Sequence, residues 1–168
     1  AYGETLLDWN TRVNLISRKD TENFVEHHLM HALAITRFIH FPAGSRILDV
    51  GTGGGLPGIP LAILHPNAQF TLVDSLEKKV NVLKAFTLDL KLKNVLLRRK
   101  RIEDVTKEYD WVLGRAVTRL PVFVDWIRRR VRQSYEEDVR HGLIYLKGSL
   151  YQEECAEMGV EPDEVHEI

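Results

Sequence analysis

The sequence predicts an α/β protein: a mostly parallel sheet with helices on both faces, preceded by an N-terminal helical extension. Three observations point there. Short apolar runs alternate with amphipathic stretches of helical spacing from Arg46 onward, the pattern of strands joined by helical crossovers. The first run, Arg46-Ile47-Leu48-Asp49-Val50, opens directly into a glycine-rich loop, Gly51-Thr52-Gly53-Gly54-Gly55-Leu56-Pro57-Gly58. Before Pro42-Ala43-Gly44 the rhythm is helical only, and that breaker marks the change.

The elements follow in order. Leu6, Leu7 and Trp9, then Val13, Leu15 and Ile16, form an opening helical region. Asp20 or Thr21 can cap a second helix, in which Phe24, Val25, Leu29, Ala32, Leu33 and Ile39 recur at helical spacing. Residues 1–41 are expected to be an extension packed on the core, and 42–168 the main domain. Strands are predicted at Arg46–Val50, Gln69–Asp74, Val95–Leu97, Tyr109–Leu113 and Leu143–Leu146. Helices are predicted at Leu56–Leu64, at Glu77–Leu92, and from Pro121 with Phe123, Ile127 and Val131 on one face. In such sheets ligands sit at the carboxyl ends of the strands, near the switch point after the first strand.

Composition bounds the rest. The chain has 168 residues, 44% of them apolar, enough for one sizeable core. A single cysteine, Cys155, allows no internal disulfide and suits a reducing cytoplasm. No apolar run has the length of a membrane span, and Ala1-Tyr2-Gly3-Glu4 does not open a signal peptide. The first residue is not Met, so a trimmed N-terminus is expected. Net charge is −1, which announces no polyanion, but Arg98-Arg99-Lys100-Arg101 and Arg128 to Arg132 are basic clusters. The second cluster reads better as a solvated face than as a nucleic-acid footprint. His27 and His31 are four apart, yet nothing nearby completes a metal site, and none is expected. Trp9, Trp111 and Trp126 read as structural rather than as base-stacking platforms.

The glycine loop holds the functional question. Gly53-x-Gly55-x-x-Gly58 formally matches a dinucleotide fingerprint, a weak match alone. Two details argue against a pyrophosphate. Pro57 and Pro60 each remove an N–H that a phosphate would use. Asp49 places a carboxylate where phosphates would be repelled and a cation favoured. S-adenosyl-L-methionine satisfies both, with its ammonium, its sulfonium and no phosphate. Asp74 ends the second strand 23 residues after Gly51, where an acid accepts ribose hydroxyls; the bland alternative is that Asp74-Ser75 only caps the next helix. Ile102 and Glu103 follow the third strand, where adenine should lie, and Arg115 follows the fourth, facing the methyl group and its acceptor. No general base stands at these tips. The chemistry is therefore expected to need no proton removal, as at guanine N7, with arginines orienting phosphate and base edges.

Trp9-Asn10, Val13-Asn14-Leu15, Glu26-His27-His28, LDVGTGGGLPGIPLAI, LVDSLEKKVNVLK, RIEDV, GRAV and YLKG together resemble the bacterial 16S ribosomal RNA guanine-N7 methyltransferases, the glucose-inhibited division protein B family. The resemblance runs from about Leu7 to Gly148. It implies a Rossmann-like class I S-adenosylmethionine-dependent fold, a cytoplasmic monomer, and 16S rRNA or the small ribosomal subunit as partner. It implies cofactor contacts at Asp49, Gly51, Gly53, Leu56, Asp74, Ser75, Ile102, Glu103 and Arg115. It implies catalytic positioning by Arg115 and Lys147, and RNA contacts at Arg101, Arg115 and Lys147. Gly54 stands where many relatives have proline, so a looser loop is expected, and the final antiparallel strands are expected to be incomplete. A small-molecule methyltransferase is the alternative, disfavoured by the absence of a large lid insertion and by the basic residues near the tips.

Overall fold

The computed structural model describes residues 2–17, 21–134 and 140–168. Five strands, β1 (Arg46–Val50), β2 (Gln69–Asp74), β3 (Val95–Arg99), β4 (Trp111–Arg115) and β5 (Gly142–Leu146), form one sheet in the order β3-β2-β1-β4-β5. Every pairing is parallel. The chain builds outward from β1 to β3, then returns across β1 to add β4 and β5. The switch point therefore lies between β1 and β4.

Alternation along the strands feeds two apolar layers. Ile47, Phe70, Leu72 and Leu113 share one cluster with Ile59, Leu61, Leu83 and Phe86. Leu48, Val50, Val73 and Val112 share the other with Ile102, Phe123 and Ile127. The first layer is covered by α3 (Gly58–Leu64), α4 (Glu77–Asp89) and the N-terminal elements; the second by α5 (Leu120–Ile127). Asn94 ties the end of α3 to the start of β3, its Nδ2 lying within 3.1 Å of the Ala62, His65 and Ala68 carbonyls.

The N-terminal region opens with α1 (Tyr2–Asn10). Tyr2, Leu6 and Phe24 enter the same cluster as Phe70 and Phe86, and the Tyr2 ring meets Phe86 edge-on at 5.8 Å. The second predicted helix differs from a regular α-helix. It begins with a π-helical run, Phe24–Met30, passes through a single turn, α2 (His31–Ala34), and ends as a 3-10 turn, Ile35–Arg37. The expected cap Asp20 lies outside the described residues, and Asn23, at the cap position of the run, makes no side-chain cap bond.

Boundaries move for identifiable reasons. β4 is displaced by two residues from its expected Tyr109–Leu113. Tyr109 instead bridges Val131, and the Asp110 side chain accepts from the Arg46 amide at 2.7 Å. α4 stops at Asp89, with Lys91 in the left-handed region at φ 53°. An unanticipated helix, α6 (Tyr151–Met158), packs against α5 and ends at Gly159 with φ +64°.

Candidate cofactor and acceptor site

The carboxyl ends of β1, β2 and β4 bring most of the expected residues together. The loop after β1 needs its glycines. Gly51 has φ +64°, and a Cβ there would stand 3.1 Å from Val117 on the loop after β4. At Gly58 a Cβ would stand 2.6 Å from Asp49 Oδ2, so α3 can start against the sheet only without a side chain.

Two carboxylates brace this loop. Asp49 Oδ2 accepts from Thr52 Oγ1 at 2.6 Å and from the Gly58 amide at 3.0 Å. Its side chain lies beneath the loop, 1% exposed, rather than on an open wall. Burial pushes its carboxyl up to about 7, against the Thr52 and Gly58 hydrogen bonds and the Arg115 charge, which favour ionisation. Asp49 is thus a brace whose charge depends on what lies above it. Asp74 bridges two elements: Oδ2 accepts from the Gly53 amide at 3.0 Å and Oδ1 from the Leu76 amide at 2.9 Å. The second bond fixes the entry to α4. Each oxygen keeps another acceptor direction, and Ser75 is exposed beside it.

Gly54 is not loose. Its carbonyl accepts from Tyr2 Oη at 2.7 Å, and a Cβ on it would meet Leu6 at 3.0 Å and Leu15 at 3.3 Å. The turn carrying Leu15 is itself fixed, because buried Asn10 accepts through Oδ1 from the Leu15 and Ile16 amides at 2.8 and 3.0 Å. The Trp9-Asn10 motif therefore shapes a wall over the glycine loop. Leu56 and Ile102 are buried, in the first and second apolar layers respectively; Arg101 and Glu103 are exposed on either side of Ile102. Register pairs Asp74 with Arg99, so this segment follows directly from the strand beside Asp74.

Two cations stand at the neighbouring tips of β4 and β5, where Arg115 pairs in register with Leu146, the residue before Lys147. Arg115 donates to the His27 carbonyl at 3.3 Å and contacts His28 Nδ1. The next residue, Ala116, has φ 49°, a strained conformation for a side-chain-bearing residue. Tyr145 steadies the turn that follows, donating from Oη to the Thr118 carbonyl at 2.7 Å. Lys147 pairs with Glu154 of α6 at 2.9 Å, and Glu154 also accepts from the Leu120 amide at 2.7 Å. Those two contacts, the amide first, hold the Glu154 carboxyl below its ordinary range. Neither Glu154 nor the bracing role of Tyr145 carries a sequence signal. Lys79 was also missed: its amine would stand 4.0 Å from a Cβ on Gly53, and only the fold brings it there.

Some candidates lie elsewhere. Arg132 pairs with Asp110, and Arg130 follows α5, with its amide bonded to the Ile127 carbonyl. Arg132 thus sits by the start of β4, while the Arg130 guanidinium donates to the Glu103 carbonyl at 3.4 Å. Trp111 is buried in the first layer, and Trp126 packs on the second. The His27 and His31 rings stack at 6.3 Å, and no group of three potential metal ligands occurs among the described residues.

The family model for rRNA small subunit methyltransferase G matches residues 1–162. The chain belongs to this family. A ribosomal RNA small subunit methyltransferase G of Flavobacterium psychrophilum is 45% identical over 147 residues, covering 88% of this chain and 70% of that one. One from Bacteroides fragilis is 46% identical over 155 residues, covering 92% and 75%. The fold is shared more widely. A SAM-dependent methyltransferase from Aquifex aeolicus superposes with a TM-score of 0.54 at 19% identity, over 67% of this chain and 63% of that one. Coclaurine N-methyltransferase gives 0.55 at 19%, over 62% of this chain and 32% of its own. The architecture is thus the Rossmann-like class I methyltransferase fold. Among the described residues, no helix is long and apolar enough to cross a membrane.

Proposed function

We propose that this protein transfers the methyl group of S-adenosylmethionine to N7 of a guanine in 16S rRNA, in the cytoplasm. One observation carries the reading: family membership along residues 1–162 coincides with a glycine loop held by Asp74, beside two cations on neighbouring strand tips. The bound cofactor would supply an activated methyl group on its sulfonium. Asp74 and Ser75 would take the ribose, the Gly51 to Gly53 backbone the methionine portion, and Ile102 with Glu103 would border the adenine. Asp49 and Leu56 act from beneath, by shaping the loop. Residues 1–41 are on this reading an extension that closes the site, and 42–168 the methyltransferase domain.

Arg115 and Lys147 would orient the acceptor, with Arg101 on RNA phosphate. Guanine N7 carries a lone pair and no hydrogen, so the nucleophile needs no base. The N7–carbon bond forms as the carbon–sulfur bond breaks, and the positive charge passes from sulfur to the base. Positioning is then the main catalytic task. Pyrimidine-carbon methylation would need a cysteine nucleophile, and the chain's one cysteine, Cys155, is buried in α6.

Labelled cofactor offered to unmethylated small subunits and to naked 16S rRNA tests this directly. The label should map to N7 of one guanine. A label on a pyrimidine carbon or an exocyclic amine would overturn the assignment, and tight NAD binding in calorimetry would overturn the cofactor.

A further inference from the structure

The N-terminal segment reaches the acceptor side through one buried ring. His28 lies in the π-helical run Phe24–Met30, is 6% exposed, and stacks on Phe24 at 6.1 Å with 24° between the planes. Its Nδ1 faces the Arg115 guanidinium, and the same Arg115 nitrogen, Nη2, donates to the neighbouring His27 carbonyl at 3.3 Å. A guanidinium only donates and stays protonated. Nδ1 must therefore be the acceptor in this pair, and the ring proton belongs on Nε2. Two successive residues of one helical turn thus present acceptors to one cation. Departures from regular α-helix of this kind concentrate at functional positions.

The contact matters because of what surrounds it. Arg115 is the last residue of β4 and only partly buried, with the Lys147 cation on the neighbouring strand tip. A long, flexible side chain there gives up rotamer freedom to hold one orientation. Residues 27 and 28 supply acceptors for it.

We propose that His28 is a positioning residue for methyl transfer: through Nδ1 it aims the Arg115 guanidinium at the acceptor base. This rests on the role given to Arg115 above. The helical extension then sets the geometry of the chemical step, in addition to covering the glycine loop through Tyr2 and Leu15.

Side chains that place an acceptor at different reach separate this role from simple packing. Asn presents its oxygen near the position of Nδ1, whereas Gln presents it near Nε2. With small subunits as acceptor, His28→Asn should keep turnover within about threefold of the parent, and His28→Gln should lower kcat by about tenfold, with KM for the cofactor and S-adenosylhomocysteine affinity little changed. His28→Gln in an Arg115→Ala background should add less than about twofold, because the partner is gone. Equal effects of Asn and Gln, or full multiplication in the double variant, would overturn the proposal. Full turnover in Arg115→Ala alone would overturn both this proposal and the reading of Arg115 beneath it. Turnover lost in Arg115→Ala with none lost in His28→Gln would sink only the His28 role.

Discussion

The two halves of the site are held in opposite ways. On the proposed cofactor side, carboxylates hold backbone amides: Asp49 takes Gly58, and Asp74 takes Gly53 and Leu76. On the proposed acceptor side, cations are held by groups of other elements, Arg115 by residues 27 and 28 and Lys147 by Glu154 of α6. The first arrangement fixes a rigid backbone cradle from residues between 49 and 76. The second aims charged tips with groups from both ends of the sequence. Binding and turnover should therefore separate when each half is damaged.

The largest separation is expected at Arg115. Arg115→Ala should lower kcat by about 100-fold while S-adenosylhomocysteine affinity stays within a few-fold, since positioning of the acceptor is lost and the cradle is kept. Stopped turnover assays and calorimetry on the same preparation check both numbers. Comparable losses in the two measurements would mean that the halves are not separable. The mirror experiment is Asp74→Ala, which should weaken cofactor binding by about 10–100-fold, the scale of one or two hydrogen bonds to a charged acceptor. At saturating cofactor its kcat should recover most of the parental value.

That same contrast decides what the sequence shows. The cradle was legible because its parts are contiguous: an apolar run, glycines, prolines and an acid at each strand tip stand in one 28-residue stretch. The sheet was legible because alternation with helices leaves few topologies. The orientation of Asp49 is not legible, since a sequence shows a carboxylate beside glycines but not which way it turns. Here it turns under the loop to meet Thr52. The packing of Gly54 is not legible in the sequence, because Tyr2 and Leu15, which close on it, are 52 and 39 residues away. The particular partners of His28, Tyr145 and Glu154 leave no local pattern either. A contact across 87 residues leaves no periodicity to read.

A smaller effect is expected from Glu154→Gln. The amide side chain keeps an acceptor for Leu120 but removes the charge beside Lys147. Turnover should fall by about threefold with cofactor affinity unchanged, because one orienting contact is loosened while the fold of the tip persists. A change confined to cofactor affinity would place Lys147 on the other half of the site.

A pH effect joins the two halves through Asp49. Its carboxyl is raised by burial to about 7 from 3.8. Between those values the folded, ligand-free protein holds a proton that the unfolded chain releases. Its contribution to stability is therefore fully present below about pH 4 and is lost as pH rises through about 7. A ligand carrying an ammonium above the loop favours the ionised carboxylate and drives that proton out. S-adenosylhomocysteine should accordingly bind up to about tenfold more tightly at pH 8 than at pH 6, with proton release visible in calorimetry across buffers of different ionisation enthalpy. Asp49→Asn should flatten that dependence while keeping an acceptor for Thr52 and Gly58. A parental affinity that ignores pH over this range would mean that the brace stays in one protonation state whatever lies above it, and that the field of the cradle comes from Asp74 alone.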